Sequence, residues 1–256
     1  METEGAPGPE PALRNRLKLA YRWIPAATGR LLDAGCNSGY GTHHYARKAS
    51  EVWGADPDEA SIAAARVRHP GVRFEHAPLE SLPFADGFFD VVVLTDVLEH
   101  VTDEIAAMNE IHRVTRPGGT IIITTPHAGL FGWFDPYNYG ACLRARFRPL
   151  YAVLRRMGLA RATGDAAPRH RHYSLGDLER LLGASAFGSG YAVTACFRSG
   201  CFLFPLEINV YEALRRVLPE RVAGALVGPL RWLAELDYWV PCGPAAYNLA
   251  ARIRRG

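Results

Sequence analysis

The chain has 256 residues, 48% of them hydrophobic, and a formal charge of +3 at neutral pH. That length buries a sizeable core and favours one α/β domain with additions over two independent domains. So small a charge gives no argument for a nucleic-acid partner. Five cysteines, an odd number with no C-x-x-C pair, suit a reducing cytoplasm better than a disulfide framework or a zinc site. Arg221, Arg231 and Glu235 interrupt the most apolar stretch before it reaches the length of a membrane span, so the expected location is the cytoplasm or the inner face of a membrane.

Residues 1–11 are acidic, rich in Pro and Gly and without an apolar core, which reads as a disordered leader and not as a secretory signal. Leu13–Trp23 reads as a basic amphipathic helix, and a strand–helix alternation follows. Arg30–Asp33 is an apolar run ending at glycines, the pattern of a buried parallel strand. Tyr40–Ala49 reads as a helix and Glu51–Ala55 as a strand. Glu59–Val67 is a helix with Ile62, Ala63 and Val67 on its apolar face, and Val72–Glu75 is a third strand. Phe89–Leu94 is the clearest strand, apolar through Val91-Val92-Val93-Leu94 as in a strand covered on both faces. Thr102 then caps a helix with Asp103 and Glu104 at its positive end and Ile105, Met108 and Ile111 as its buried stripe. Pro117-Gly118-Gly119 turns the chain into strand Thr120–Thr125.

Past residue 126 the alternation loosens. Gly129–Gly140 is rich in aromatics and turn residues, Ala141–Met157 looks helical, and Ser174 caps a helix with Asp177 in the capping-box position. Tyr191–Phe197 and Ala245–Ile253 read as closing strands. Between them Phe202–Val240 is apolar and helical, divided by Pro205, Pro219, Pro229 and Pro241. The whole predicts an α/β, Rossmann-like, doubly wound and mostly parallel sheet of about seven strands. Helical additions are expected at the N-terminus and after the fifth and sixth strands. Residues 12–256 form one domain, with a cofactor core at 30–126 and acceptor-side lid or insert segments at 128–173 and 202–240.

A sheet of this kind binds its ligand at the carboxyl ends of the strands. The first such loop reads Asp33-x-Gly35-x-x-x-Gly39-x-Gly41. Its glycines let the backbone turn sharply against a ligand, and the following helix end offers N–H groups to a carboxylate. A dinucleotide fingerprint would need glycine where Asn37 stands, so that spacing fails. About twenty residues on, Asp56 ends the second strand, where a carboxylate can accept from both ribose hydroxyls of an adenosine. The bland alternative makes Asp56 a cap for the helix that follows.

The stretches LLDAGCNSGYGT, VWGADPDEASI, ESLPFADGFFDVVVLTDVLEHV and EIHRVTRPGGTIIITTPH occur in that order. Over residues 30–126 the chain resembles the class I S-adenosylmethionine (SAM)-dependent methyltransferases, particularly the group of the ubiquinone-biosynthesis O-methyltransferases. The resemblance implies SAM as cofactor. It places Asp33, Gly35 and Gly39, with Cys36 and Asn37 between them, around the methionyl part, and Asp56 with Pro57 at the ribose. Thr95, followed by Asp96, lends backbone to the methionyl amino group. The family often has an acidic residue after the third strand to hold the adenine amino group. Pro78 stands there instead, which leaves adenine to the Leu79 N–H and apolar packing.

Methyl transfer from a sulfonium is an in-line displacement, so the protein mainly aligns the nucleophile and excludes water. A hydroxyl acceptor is helped by a general base. His127, directly after the fifth strand, is the first choice, against the alternative of an exposed loop histidine. His100 in LEHV reads as ordering the next helix and His112 as structural. His172 and Tyr173, with Trp133 and Tyr137, are candidates for the acceptor wall. The sequence shows no three-ligand metal cluster, so a metal-independent reaction is expected. Ala141–Arg171 holds eight arginines and one acid, Asp165, which is either a solvated face or a rim for an anionic acceptor or membrane. Residues 202–240 are a helical cover, a homodimer surface or an element in peripheral membrane contact. The reading is O-methylation of a bulky, partly apolar small-molecule or lipid-linked acceptor. The alternatives are an NAD(P)-dependent oxidoreductase and a SAM-binding but inactive partner protein.

Overall fold

In the computed structural model, which describes residues 13–130, 135, 148–156 and 170–256, the alternation closes as a seven-stranded sheet in the order β3-β2-β1-β4-β5-β7-β6. The elements run α1 (Asn15–Trp23), β1 (Thr28–Ala34), α2 (Tyr40–Tyr45), β2 (Ala49–Asp56), α3 (Glu59–Arg68), β3 (Arg73–His76) and β4 (Phe89–Thr95). Then come α4 (Glu104–Val114), β5 (Thr115–Pro126), α5 (Arg148–Arg156), α6 (Leu175–Ala184), β6 (Tyr191–Ser199), α7 (Leu203–Leu214), α8 (Glu220–Tyr238) and β7 (Asn248–Arg255). Strands β1 to β5 pair in parallel, and β7 runs antiparallel between β5 and β6. The order turns back on itself between β1 and β4, which opens a crevice at their carboxyl ends.

The two-residue period of the strands sorts the core into two layers. Leu32, Val92, Leu94, Ile121 and Ile123 face the side covered by Met108 and Ile111 of α4 and Leu178 and Leu182 of α6. Leu31, Val91, Val93 and Ile122 face the side covered by Ala20 of α1 and by Tyr45 of α2. These strands read as continuous apolar runs because both faces are buried. Edge strand β6 alternates between half-buried and exposed positions over most of its length.

Several expectations shift in detail. Helix α2 ends at Tyr45, β2 begins at Ala49, and β3 lies one residue later than expected. Pro117-Gly118-Gly119 lies within β5, taken up by a register shift against β4 between Phe89 and Val91. The cap of α4 is Asp103 and not Thr102, since the Asp103 carboxylate accepts the Ala106 N–H at 2.9 Å. Val67 is exposed because it lies about 140° round the helix from Ile62, whose face Ala65 shares. Ile105 is likewise exposed, in the first turn, ahead of the face formed by Ala107, Met108, Ile111 and Val114. Pro229 does not divide the C-terminal helices; it stands inside α8. Pro229 and Ala225 are both exposed, so the carbonyl that the proline leaves without a partner is on the solvent side.

Helices α7 and α8 form a hairpin inserted between β6 and β7. Phe204 and Tyr238 seat it against Leu19 of α1, Tyr247 and Ala250. Its neck is tied twice. The Asp237 carboxylate accepts the N–H groups of Phe202 and Phe204, and Cys201 and Cys242 form a disulfide with Cα atoms 5.8 Å apart. That link overturns the expectation of no disulfide for this pair, while Cys36 and Cys196 are free thiols. An odd count hid it, since a pair 41 residues apart leaves no local signature. We expect a non-reducing digest to yield one fragment joining the two cysteines. Replacing both by serine should cost on the order of 4 kcal/mol, the loop-closure entropy of a ring this size, measured by urea unfolding.

Candidate functional site

The loop after β1 is folded by left-handed backbone at Gly35, Asn37 and Gly39. A Cβ on Gly35 would lie 2.2 Å from Val97 Cγ2, so only glycine lets the loops after β1 and β4 approach this closely. The amide N–H groups of residues 35–39 all find acceptors inside the protein. Gly35 and Cys36 donate to the Ala55 carbonyl, Asn37 to Asp56, Ser38 to the Asn37 side chain and Gly39 to the Cys36 carbonyl. These amides tie the loop to β2 and to itself, and the first turn of α2, from Tyr40, follows directly after them.

Asp56 closes that tie. One carboxylate oxygen accepts Asn37 N–H at 2.8 Å and the other Asp58 N–H at 2.9 Å. The helix cap is Asp58, whose carboxylate accepts the Ser61 N–H and hydroxyl. Asp56 is thus no cap, and each of its oxygens keeps acceptor capacity for a hydroxyl. Beside it lies a cavity of about 310 Å³ lined by Gly35, Ala55, Pro57, Ala77, Pro78, Leu79, Leu82, Val97, His100 and Val101, among others. Its apolar wall fits the flat face of a base, and it runs from the glycine loop to the position where an acidic residue is replaced by Pro78.

Asp33 sits deeper, at the carboxyl end of β1. It is 2% exposed, and one oxygen accepts the Thr42 hydroxyl at 2.7 Å. The other oxygen is buried without a partner. Burial, opposed by the Thr42 hydrogen bond, pushes the carboxyl up to about 7. A buried carboxylate with a spare oxygen, two residues before the cavity-lining Gly35, fits a ligand that brings a cation, as the ammonium and sulfonium of SAM do. Cys36 lies buried beside it, its thiol held well above the usual range by burial and by the nearby carboxylates.

Across the crevice, the ends of β4 and β5 carry a polar wall that sequence reasoning largely missed. Asp96 has left-handed backbone (φ 56°) and turns its carboxylate to Arg16 of α1 and the Thr124 hydroxyl. Glu99 is buried, accepts from the Thr125 hydroxyl at 3.3 Å and keeps its other oxygen without a partner. Burial, reinforced by Asp96, pushes it up to about 8. Asp135, fully buried, receives His170 Nδ1 at 3.0 Å and His172 Nε2 at 2.9 Å. His170 Nε2 then meets His100 Nε2 at 3.2 Å.

A carboxylate only accepts, so His170 carries its proton on Nδ1 and His172 on Nε2. With a neutral ring at His170 its Nε2 is a lone pair, His100 Nε2 is the donor to it, and the lone pair of His100 falls on Nδ1. Burial lowers the pKa of His100, which favours the neutral ring. Glu99, His100 and His170 also offer ligand atoms within 4.8 Å of one another, a set able to hold a divalent cation. That use needs lone pairs on both Nε2 atoms, and so excludes the imidazole–imidazole hydrogen bond.

His127 is buried, not an exposed loop histidine. Its Nδ1 faces the Ala246 carbonyl at 3.1 Å, and burial lowers its pKa. It does not line the cavity. His172 belongs to the polar wall. Tyr173 does not: its hydroxyl donates to the Leu98 carbonyl and to Glu104, and its ring is in the core under α4 and α6. Trp133 and Tyr137 lie outside the described residues, as do Arg144, Arg146, Arg161 and Arg169 of the segment 141–171. Arg171 is described and is structural, paired with Glu104 and donating to the Val101 carbonyl. No sequence signal pointed to Arg16 or Asp135, whose partners lie 80 and at least 35 residues away.

Residues 32–123 match the family model of a methyltransferase domain. A probable S-adenosylmethionine-dependent methyltransferase of Mycolicibacterium smegmatis is 42% identical over 111 residues, 43% of this chain and 42% of that protein. A ubiquinone biosynthesis O-methyltransferase of Pseudomonas aeruginosa is 32% identical over 126 residues, 44% of this chain and 54% of its own length. The match thus spans about two fifths to a half of these relatives. The crystal structure of an S-adenosylmethionine-dependent methyltransferase from Mesorhizobium loti shares the fold, with a TM-score of 0.56 at 20% identity over 93% of this chain and 97% of that one.

If the orphaned oxygen of Asp33 receives the ligand's cation, binding must expel the proton that burial keeps there. Affinity for S-adenosylhomocysteine, which carries the ammonium, should rise with pH between about 5 and 7 by up to tenfold per unit and level off above. Calorimetry in buffers of different ionisation enthalpy should show proton release at pH 6 that vanishes in Asp33→Asn. A wild-type affinity independent of pH would remove the assignment.

Proposed function

We propose that this chain, which carries the core of a class I SAM-dependent methyltransferase, methylates a hydroxyl oxygen of a bulky, partly apolar and anionic acceptor. The cofactor supplies an activated methyl group on a sulfonium. What the protein adds is alignment, exclusion of water and removal of the acceptor's proton.

The observation that carries this reading is the histidine chain that ends at the cavity. His100 lines the cofactor cavity and is neutral, with its lone pair on Nδ1. A hydroxyl proton moving to that atom makes an imidazolium, whose charge is relayed through His170 to the buried Asp135 carboxylate. Asp135 also fixes His172, so one carboxylate orients two rings. The general base is thereby assigned to His100 instead of His127. The likeness to a relative named as an O-methyltransferase supports oxygen as the acceptor atom. The exposed Arg148 and Arg156 of α5 support an anionic acceptor.

The substrate can be found by incubating an extract with methyl-labelled SAM and the protein and isolating the labelled product. On that product, His100→Ala should lower kcat about 100- to 10,000-fold with cofactor affinity unchanged, and added imidazole should restore part of the loss. His127→Gln should stay within about tenfold of wild type. Chelation by EDTA should leave turnover intact. A loss in EDTA that a divalent cation reverses would instead give Glu99, His100 and His170 to a metal.

A further inference from the structure

We infer that the outer face of α8 docks the protein on an anionic bilayer surface. The exposed residues of α8 from position 222 onward are Val222, Ala225, Leu226, Pro229, Trp232, Leu233 and Leu236, and exposed Val240 follows just beyond its end. Spaced at three and four, they form one stripe along the helix, about 21 Å from Val222 to Leu236. Leu226 is 60% exposed and Trp232 65%.

No charged side chain interrupts this stripe. Each charge of α8 beyond its first turn is used inward: Arg231 pairs with Glu207 at 2.8 Å, Glu235 accepts the Trp239 indole N–H, and Asp237 holds the start of α7. The N-terminal end of the stripe is basic. Arg216 and Arg221 are exposed and have no acidic partner among the described residues, and Val217 beside them is 78% exposed. An apolar face with a central Trp and an arginine fringe fits acyl chains beneath negatively charged headgroups. The exposed carboxylate at this end, Glu220, accepts the Tyr211 hydroxyl, and from Val222 to Leu236 a second copy would bring no exposed carboxylate to meet those arginines. No helix among the described residues is long and apolar enough to cross a membrane, so the contact is a surface one. The hairpin leaves the sheet beside Ser199 and returns at Asn248, which pairs with Pro126 at the carboxyl end of β5. The docking face is thus mounted at the edge that carries the polar wall. The inference does not depend on the methyl-transfer reading.

Flotation with vesicles of phosphatidylcholine containing 30% phosphatidylglycerol tests it. The full-length protein should float with these vesicles, at least tenfold less with pure phosphatidylcholine, and less as salt rises. Leu226→Glu with Leu233→Glu should lower the bound fraction at least tenfold. Arg216→Glu with Arg221→Glu should abolish the preference for anionic lipid. Unchanged circular dichroism and S-adenosylhomocysteine binding would show that the variants fold. Absence of flotation by the wild type, or equal flotation by the Leu226/Leu233 variant, overturns the inference. So does a wild-type dimer without flotation that the same variant converts to monomer, an outcome that gives the face to a second copy.

Discussion

Four carboxylates taken out of bulk water at one edge of the sheet set the terms for the rest of this structure. Asp33, Asp96, Glu99 and Asp135 stand at or beyond the carboxyl ends of β1, β4 and β5, and burial penalises the charge on each of them. Each is compensated differently. Asp96 draws in Arg16, which fastens α1 across the crevice. Asp135 draws in two histidines from a segment at least 35 residues away. Asp33 and Glu99 receive only a hydroxyl each and retain an orphaned oxygen. The first two pairs complete the fold; the last two leave unmet demand for a proton or a cation. Unmet demand of that kind concentrates where ligands bind.

The same edge is where the order of the strands turns back. Between β1 and β4 the connections depart to opposite faces of the sheet, which leaves a crevice at the strand ends. Gly35 against Val97 brings the two loops to the limit of contact, and the Asn37–Asp56 hydrogen bond joins the first loop to β2. The glycine-loop half of the crevice is thereby built mostly from local turns of the β1–α2–β2 unit, closed by Val97 from the loop after β4. The polar half is assembled from parts distant in sequence: Arg16, the turn at Glu99 and His100, Asp135, and the two histidines His170 and His172. Its shape depends on long-range burial and not on any turn.

That difference decides what was legible in the sequence. The glycine loop, Asp56 and the apolar strands are dictated by neighbours within about twenty residues, and composition and spacing record them. By sequence Asp56 could cap the helix that follows it, and the hydrogen bonds from Ser61 give that cap to Asp58 instead. Val67 and Ile105 were misplaced because short helices carry too few apolar positions to fix the buried face to better than one residue. His100 read as a helix-ordering residue, and only the arrival of His170 from 70 residues away makes it part of a hydrogen-bonded chain. Likewise the odd cysteine count argued against a disulfide that the closure of the α7–α8 hairpin brings together.

The hairpin shows why its outer face calls for an explanation. A helix laid over a sheet needs only one apolar stripe, and its charges ordinarily point outward. In α8 the arrangement is partly inverted: Ala223, Val227, Ala234 and Tyr238 supply the buried stripe, while Arg231, Glu235 and Asp237 are spent on contacts at its flanks. Those inward contacts hold the hairpin to α1, α7 and the neck, so the outer residues are not needed for its attachment. An apolar outer face costs solubility and adds nothing to this packing. Its continuity with the arginine fringe, at the rim of a crevice whose acceptor side is polar and buried, is what a surface-bound acceptor would require. The charges that fasten the helix to the body and the apolar groups that face away from it therefore belong to one arrangement, in which the inward pairs make the outward stripe available.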